Sequence, residues 1–295
     1  MIDVKKTSLF LFFLCIFSIQ ALAPRAEVDA KEGYKRIVSL SPSITESLYS
    51  LDYFDRVVGV TDYDTYPPEV SSVNSVGGNV DPSLEKILYL KPDLVIGERN
   101  FHHDLLEHIE SFGIDTLELT LHHRLDDVKE AFFEIAKKVG RTDRAEEVWK
   151  DIERGLAGRR RHTTKNSQKE ASMLVVVWHD PLIVAGGWSY IGDIMKAIGI
   201  KNAAESKEYS FPAISREELL SYNPDVIFLV KSKKGMSTTV EDFIKTIEGL
   251  PIKAKEEGVV SLEAEVLLHP GPRVLESADI LLKALKLGLR EGELK

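Results

Sequence analysis

The feature that most constrains this chain is an internal echo. The stretch "SLEKILYLKPDLVI" begins at Ser83, and "SREELLSYNPDVIF" begins at Ser215. Ser83/Ser215, Glu85/Glu217, Leu88/Leu220, Pro92/Pro224 and Asp93/Asp225 all match at one offset of 132 residues. Five identities in register, with the same apolar pattern around them, predict two structurally related halves rather than a chance Pro-Asp pair.

The flanking pattern agrees. Short apolar runs alternate with amphipathic stretches, the mark of an α/β fold. "RIVSL" (36–40), "VVGVT" (57–61), "DLVIG" (93–97) and "DTLELT" (115–120) read as strands of the first half. "SPSITESLYSL", "SLEKILYL" and "DLLEHIESFG" read as its helices, the last closed by Gly113. In the second half "MLVVVW" (173–178) and "DVIFLV" read as strands. "SYIGDIMKAIG", "SREELLSY", "VEDFIKTIEGL" and "PRVLESADILLKALKLG" read as helices. Between the halves Val128, Ala131, Phe132, Ile135 and Val139 fall at helical spacing. After a break near "GRTD", with Thr142 or Asp143 as cap, a second long helix runs toward "RRRH", whose cations suit a helix C-terminus. The expected fold class is α/β: two Rossmann-like lobes joined by a long rigid helical connector, with a ligand cleft between the lobes. The expected boundaries are 1–23 signal peptide, 34–124 first lobe, 125–168 connector and 169–295 second lobe.

Lys5, Lys6, the apolar run "LFLFFLCIFSI" and the small-x-small "ALA" at 21–23 form an export signal, with cleavage near Ala23 despite the following Pro24. The run is too short to span a bilayer, which needs about 20 apolar residues. Cys15, the only cysteine, lies inside this signal after "FFL", which lacks the small side chains expected before a lipid-modified cysteine. The expectation is a soluble, exported, periplasmic protein without disulfides. A formal charge of −9 and the absence of a basic face argue against nucleic acid.

No enzyme signature is present: there is no Gly-x-Ser-x-Gly, His-Glu-x-x-His or Cys-x-x-Cys. In "GGWSYIGD" the glycines have phosphate-loop spacing, but Asp193 stands where a lysine is needed. Six of the eight histidines, His102, His103, His122, His123, His179 and His269, follow strand candidates. Ligands gather at such carboxyl ends in α/β lobes. These histidines are candidates to line one inter-lobe mouth and touch a transition metal or metallo-cofactor; the plainer reading is polar surface. Aromatic residues also collect in loops: Tyr63, Tyr66, Trp178, Trp188, Tyr190, Tyr209 and Phe211. Such walls suit a large, flat, partly apolar ligand. Glu85 and Glu217 each sit in a first helical turn, where a carboxylate complements the helix dipole. Capping alone accounts for them; alternatively, paired acids on two lobes would dock a pseudo-symmetric basic partner.

"RIVSLSPSITE", "VVGVTDYDTYPPE", "SLEKILYLKPDLVI", the connector, "VVVWHDPLIVAGGWSYIGDIMKAIG", "FPAISREELLSYNPDVI" and "GPRVLESADIL" come in an order that resembles periplasmic substrate-binding proteins with a helical backbone. This class serves cobalamin, ferric-siderophore and haem ABC importers. The resemblance covers residues 36 to about 287 and is nearest to cobalamin receptors, through "DYDTYPPE", "WHDPLIVAGG" and the aromatic-Pro-x-x-Ser-x-Glu segment. It implies a non-enzymatic protein that carries cobalamin or another corrinoid to a permease dimer with its cytoplasmic ATPase, and that works as a monomer. Tyr66, Trp178 and Phe211 match cleft positions; His179, Trp188 and Arg273 are further ligand-binding candidates. No resident metal or catalytic residue is expected. Glu85 and Glu217 match the acids that meet arginines on the two permease subunits. Where a cobalamin receptor of this class has a tryptophan before the first acidic helix, this chain has "GGNVD"; Trp188 is a candidate replacement. The alternatives are a haem or ferric-siderophore receptor, with Arg99, Arg124 and Arg273 available for anionic chelates, a zinc or manganese binder, or a metalloenzyme built on the histidines.

Overall fold

The computed structural model describes residues 33–120, 124–166, 171–204, 209–232, 239–254 and 258–292. The expected export signal with Cys15, together with His122 and His123, lies outside the described residues. No helix among the described residues is long and apolar enough to cross a membrane.

The first lobe is a five-stranded parallel sheet in the order β3-β2-β1-β4-β5. Its strands are β1 (Ile37–Ser39), β2 (Val57–Val60), β3 (Asn74–Ser75), β4 (Leu94–Glu98) and β5 (Asp115–Leu119). Helices α1 (Pro42–Ser50), α2 (Leu84–Tyr89) and α3 (Arg99–Ser111) link them. Helices α4 (Leu125–Lys138) and α5 (Thr142–Asn166) form the connector, with Gly140 turning the chain at φ +70°. The second lobe contains β6 (Ser172–His179), β7 (Leu182–Val184), α6 (Tyr190–Ile198), β8 (Lys201–Asn202), α7 (Arg216–Tyr222), β9 (Val226–Lys231), α8 (Val240–Ile247), β10 (Val259–Glu263) and α9 (Val274–Gly292). Its sheet runs β10-β9-β6-β7, with β8 against the start of β6; β7 alone is antiparallel. Strands β3, β7, β8 and β10 were not foreseen; the first three are two or three residues long, too short to show a period.

The repeat has a structural explanation. Ser83 and Ser215 N-cap α2 and α7, accepting from the backbone N–H groups of Lys86 and Glu218. Lys91 and Asn223, the paired residues before the prolines, both take left-handed φ, +48° and +43°. Asp93 then accepts from the N–H groups of Lys35 (2.7 Å) and Arg36 (2.9 Å) at the head of β1. Asp225 does the same at β6, from the Ser172 N–H (2.9 Å) and hydroxyl (2.7 Å). Each lobe thus uses the same turn to tie β4 or β9 to its first strand.

One apolar core runs through both lobes. It joins Ile44, Leu48 and Ile96 of the first to Phe228, Leu267 and Leu281 of the second, through the connector. The α4 positions Val128, Ala131, Phe132 and Ile135 are all buried, and so is Val139 just beyond the helix. Along α5 the buried stripe is Ala145, Trp149, Ile152 and Leu156. At Gly155 a Cβ would come 2.6 Å from Leu275, so glycine lets α9 approach α5. Helix α5, at about 1.5 Å per residue, is a strut of roughly 37 Å. It is not a bare rod: with α1, α4, α6 and α9 it is packed into a common core. Separate cores lie beyond each sheet, one holding Val38, Ile87 and Leu106, the other Leu174, Leu219 and Phe243.

Candidate functional site at the facing strand ends

The loops after β2 and β10 meet. The Thr65 hydroxyl donates to Glu265 at 3.3 Å, and the Arg273 guanidinium lies over the Tyr66 ring at 3.8 Å. Both loops follow strand carboxyl ends, so those ends of the two sheets face one another, the setting in which α/β proteins bind ligands.

On the second lobe, Trp178 stands near the end of β6, 40% exposed, its indole N–H donating to the Asp180 carbonyl at 2.8 Å. That bond orients the ring. His179 follows, its ring centre 6.1 Å from the indole; its Nδ1 is buried and has no hydrogen-bond partner among the described residues. Pairing continues across the turn: Trp178 lies opposite Ile183, and Ile183 opposite Ala213. Residues 209–214 run beside β7 as a further ribbon, through Gly186 N–H to Ser210 O (2.8 Å), Val184 N–H to Pro212 O (3.1 Å) and Ile214 N–H to Leu182 O (2.8 Å). Phe211 lies in the bend that opens this ribbon, two residues before Ala213. Phe211 is 39% exposed. Gly186 is required here, since a Cβ would sit 2.6 Å from the Tyr209 carbonyl oxygen.

Trp188 is half exposed and stands farther round, with the Arg124 guanidinium 5.6 Å from its ring centre. It lines a 590 Å³ groove along α6 with Arg160, Lys196 and Lys201. Arg124 is gripped by both oxygens of Asp193 at 2.7 Å, which raises its pKa further against the smaller cost of burial. Asp193, misplaced for a phosphate loop, thus ties the head of α4 to α6.

On the first lobe the strand ends present buried polar groups. The Thr45 hydroxyl donates to Ser39 (2.8 Å), and the Thr61 N–H (2.9 Å) and hydroxyl (2.6 Å) donate to Asp64. Burial raises the Asp64 pKa although the Thr61 hydrogen bonds oppose it; among the described residues its Oδ1 has no partner. Tyr63, in this turn, is 43% exposed. Tyr66 lies between Arg273 and Tyr49 (5.3 Å) and lines, with Glu265 and His269, a space of 210 Å³ between the loops after β2 and β10.

Arg273 is fully engaged. Its Nη1 donates to Glu46 at 3.0 Å, its Nε and Nη2 grip Glu276, and its ring partner is Tyr66. Glu46, 1% exposed, also meets His269 Nδ1 at 3.2 Å, while its Oε2 is buried without a partner. Glu46 belongs to α1, and His269 and Arg273 to the second lobe, so this cluster is a buried inter-lobe seam. The Arg273 pKa stays raised although burial opposes it, chiefly because Glu46 and Glu276 face it.

Among the described residues the candidate histidines His102, His103 and His269 have separate partners. The sequence suggested a loop at 99–103, whereas α3 begins at Arg99. His102 is therefore buried on a helix: its Nδ1 accepts from the Glu98 N–H (2.9 Å), and its Nε2 donates to the Asn79 carbonyl (2.6 Å). Burial lowers its pKa, outweighing the Asn79 bond. It pins the "GGNVD" loop. His103 is exposed and pairs with Glu118 at 2.8 Å. Among the described residues no three His, Cys, Asp or Glu side chains stand close enough to hold a metal ion.

Glu85 and Glu217 are exposed on α2 and α7. Among the described residues neither side chain bonds to another element, whereas the repeated aspartates tie their turns to β1 and β6. Glu217 is satisfied locally, its own N–H and Ser215 lowering its pKa. Among the described residues Glu85 has neither an ion pair nor a side-chain hydrogen bond.

Residues 37–261 match the family model described as periplasmic binding protein. An ABC transporter substrate-binding lipoprotein of Bacillus subtilis is 28% identical over 268 residues, 89% of this chain and 83% of the relative. The vitamin B12-binding protein of Pectobacterium carotovorum is 27% identical over 247 residues, 83% of this chain and 86% of its own. Among solved structures, the periplasmic haem-binding protein of Roseiflexus sp. RS-1 in apo form superposes with a TM-score of 0.74 at 27% identity, over 87% of this chain and 99% of that one. With its two facing α/β lobes and its family match across three-quarters of its length, this chain belongs to the periplasmic binding protein family.

Proposed function

We propose that this protein is the exported solute-binding component of an ABC importer and that it carries cobalamin or a related corrinoid to a permease dimer driven by a cytoplasmic ATPase. The observation that carries the reading is the exposure of Trp178 near the end of β6 and of Phe211 on the adjoining 209–214 segment, with His179 beside Trp178. Rings held at strand carboxyl ends fit a broad, partly apolar cofactor. Tyr63 is the first-lobe ring best placed to oppose them, with Trp188 at the margin; Tyr66 and Arg273 hold the seam. The vitamin B12-binding relative supports the corrinoid. Residues 1–23 are the export signal, 34–124 and 169–295 the two lobes, and the protein acts as a monomer.

Titrating the mature protein with cyanocobalamin, haem and ferric chelates tests this. Saturable quenching of tryptophan fluorescence by cyanocobalamin, reduced in Trp178→Phe, is expected. A tighter response to haem or a ferric chelate would overturn the corrinoid assignment.

The haem reading is favoured by one observation, the unpartnered His179 Nδ1 beside Trp178. It requires a Soret shift on haem addition that is lost in His179→Ala.

A further inference from the structure

A second cavity, of 730 Å³, lies between the C-terminal end of α1, the turn at 52–55 and the head of α5. Three of its walls are aromatic. The Tyr49 ring stands nearly perpendicular to Phe54 (76°, centres 5.9 Å apart) and to Tyr66 (81°, 5.3 Å). Tyr49 is the one exposed large apolar side chain on a helix that is otherwise almost wholly buried. The rim is acidic, with Asp52, Asp55 and Glu69. Arg144 is the lining cation, and its charge is taken up by Asp52 at 3.0 Å and Glu147 at 3.3 Å.

We propose that this cavity is a binding site for a small organic cation, of the quaternary or alkylated ammonium class, distinct from the corrinoid site. Aromatic faces attract a cation through their quadrupoles, and perpendicular rings make adjoining walls of a cage that an alkylated ammonium fills. Asp52 is paired with Arg144 and Asp55 with Arg56 (3.1 Å), which leaves the exposed Glu69 to raise the local cation concentration. The protein already shows the preference: Arg273 occupies one side of Tyr66 at 3.8 Å. Tyr66 lines the cavity on the Tyr49 side and the Arg273 cluster on the other, so it separates the two spaces. The inference does not depend on what the facing strand ends bind.

The test is calorimetric titration of the mature protein with choline and with its neutral carbon isostere, 3,3-dimethyl-1-butanol. Saturable choline binding is expected, with the isostere at least about fivefold weaker, because shape and apolar area match while the charge is gone. Tyr49→Leu, which keeps an apolar side chain on α1, is expected to weaken choline about fivefold and to leave cyanocobalamin affinity unchanged. Glu69→Gln, at an exposed position that does not endanger folding, is expected to weaken choline at low salt only. Equal affinity for the two probes, no saturable binding at millimolar choline, or unchanged choline affinity in a folded Tyr49→Leu variant would each overturn the assignment.

Discussion

The Arg273 guanidinium lies flat against the Tyr66 ring, 3.8 Å from its centre, and so joins the head of α9 to the loop after β2. Behind it, Glu46 is sealed from solvent with Arg273 and His269 as its partners. Removing one member of a buried pair strands a charge. Arg273→Ala is expected to cost about 3 kcal/mol in denaturant unfolding. Adding Glu46→Gln is expected to restore part of that loss, since the stranded charge is then gone. An Arg273→Ala variant as stable as the parent would show that the seam does not hold the lobes.

Asp225 makes a pH-dependent contribution. Burial opposes its ionisation, but the Ser172 N–H and hydroxyl and Lys253 at 3.5 Å outweigh burial, and its pKa lies below the ordinary value. A carboxylate depressed in the folded state stabilises above its unfolded pKa, near 4, and that stabilisation fades as pH falls through the folded value. Asp225→Ala is therefore expected to lose about 1.5–3 kcal/mol near neutral pH. The gap should close in acid, as followed by thermal melts across pH.

The exposed pair Glu85 and Glu217 predicts a separation of binding from delivery. Reversing both charges, Glu85→Lys with Glu217→Lys, should leave ligand affinity unchanged and abolish stimulation of the transporter ATPase in reconstituted membranes. Full stimulation by the double variant would remove these acids from the docking surface.

Gly186→Ala and Phe211→Ala should lower ligand affinity for different reasons. The new methyl at 186 would stand 2.6 Å from the Tyr209 carbonyl oxygen, so the 209–212 ribbon must move, at about 1–3 kcal/mol of stability. Phe211 is 39% exposed, and its removal should weaken cyanocobalamin about tenfold while the melting temperature stays nearly constant. Fluorescence titration and thermal melts on both variants separate the two effects.

Much of the architecture was legible because it rests on local chemistry. The Ser caps, the left-handed residue before proline and the aspartate that ties the next strand all fall within one short segment, so their recurrence announced two lobes. The apolar spacing from Val128 to Val139 reported its buried face directly, because helical period and burial coincide. What failed was reading orientation from position in the chain. His102 looked like a loop ligand, and becomes a core residue because α3 starts three residues before it. Tyr66 and Arg273 are 207 residues apart, and nothing local to either states that they stack. The same holds for Arg124 with Asp193. The amino-acid order alone determined that the plan occurs twice and where most of its helices and strands lie, since those depend on neighbours within a few turns. Which side chains meet across the lobes, and which rings remain open to a ligand, was decided only by tertiary packing, because contact over such separations depends on how the finished lobes face one another.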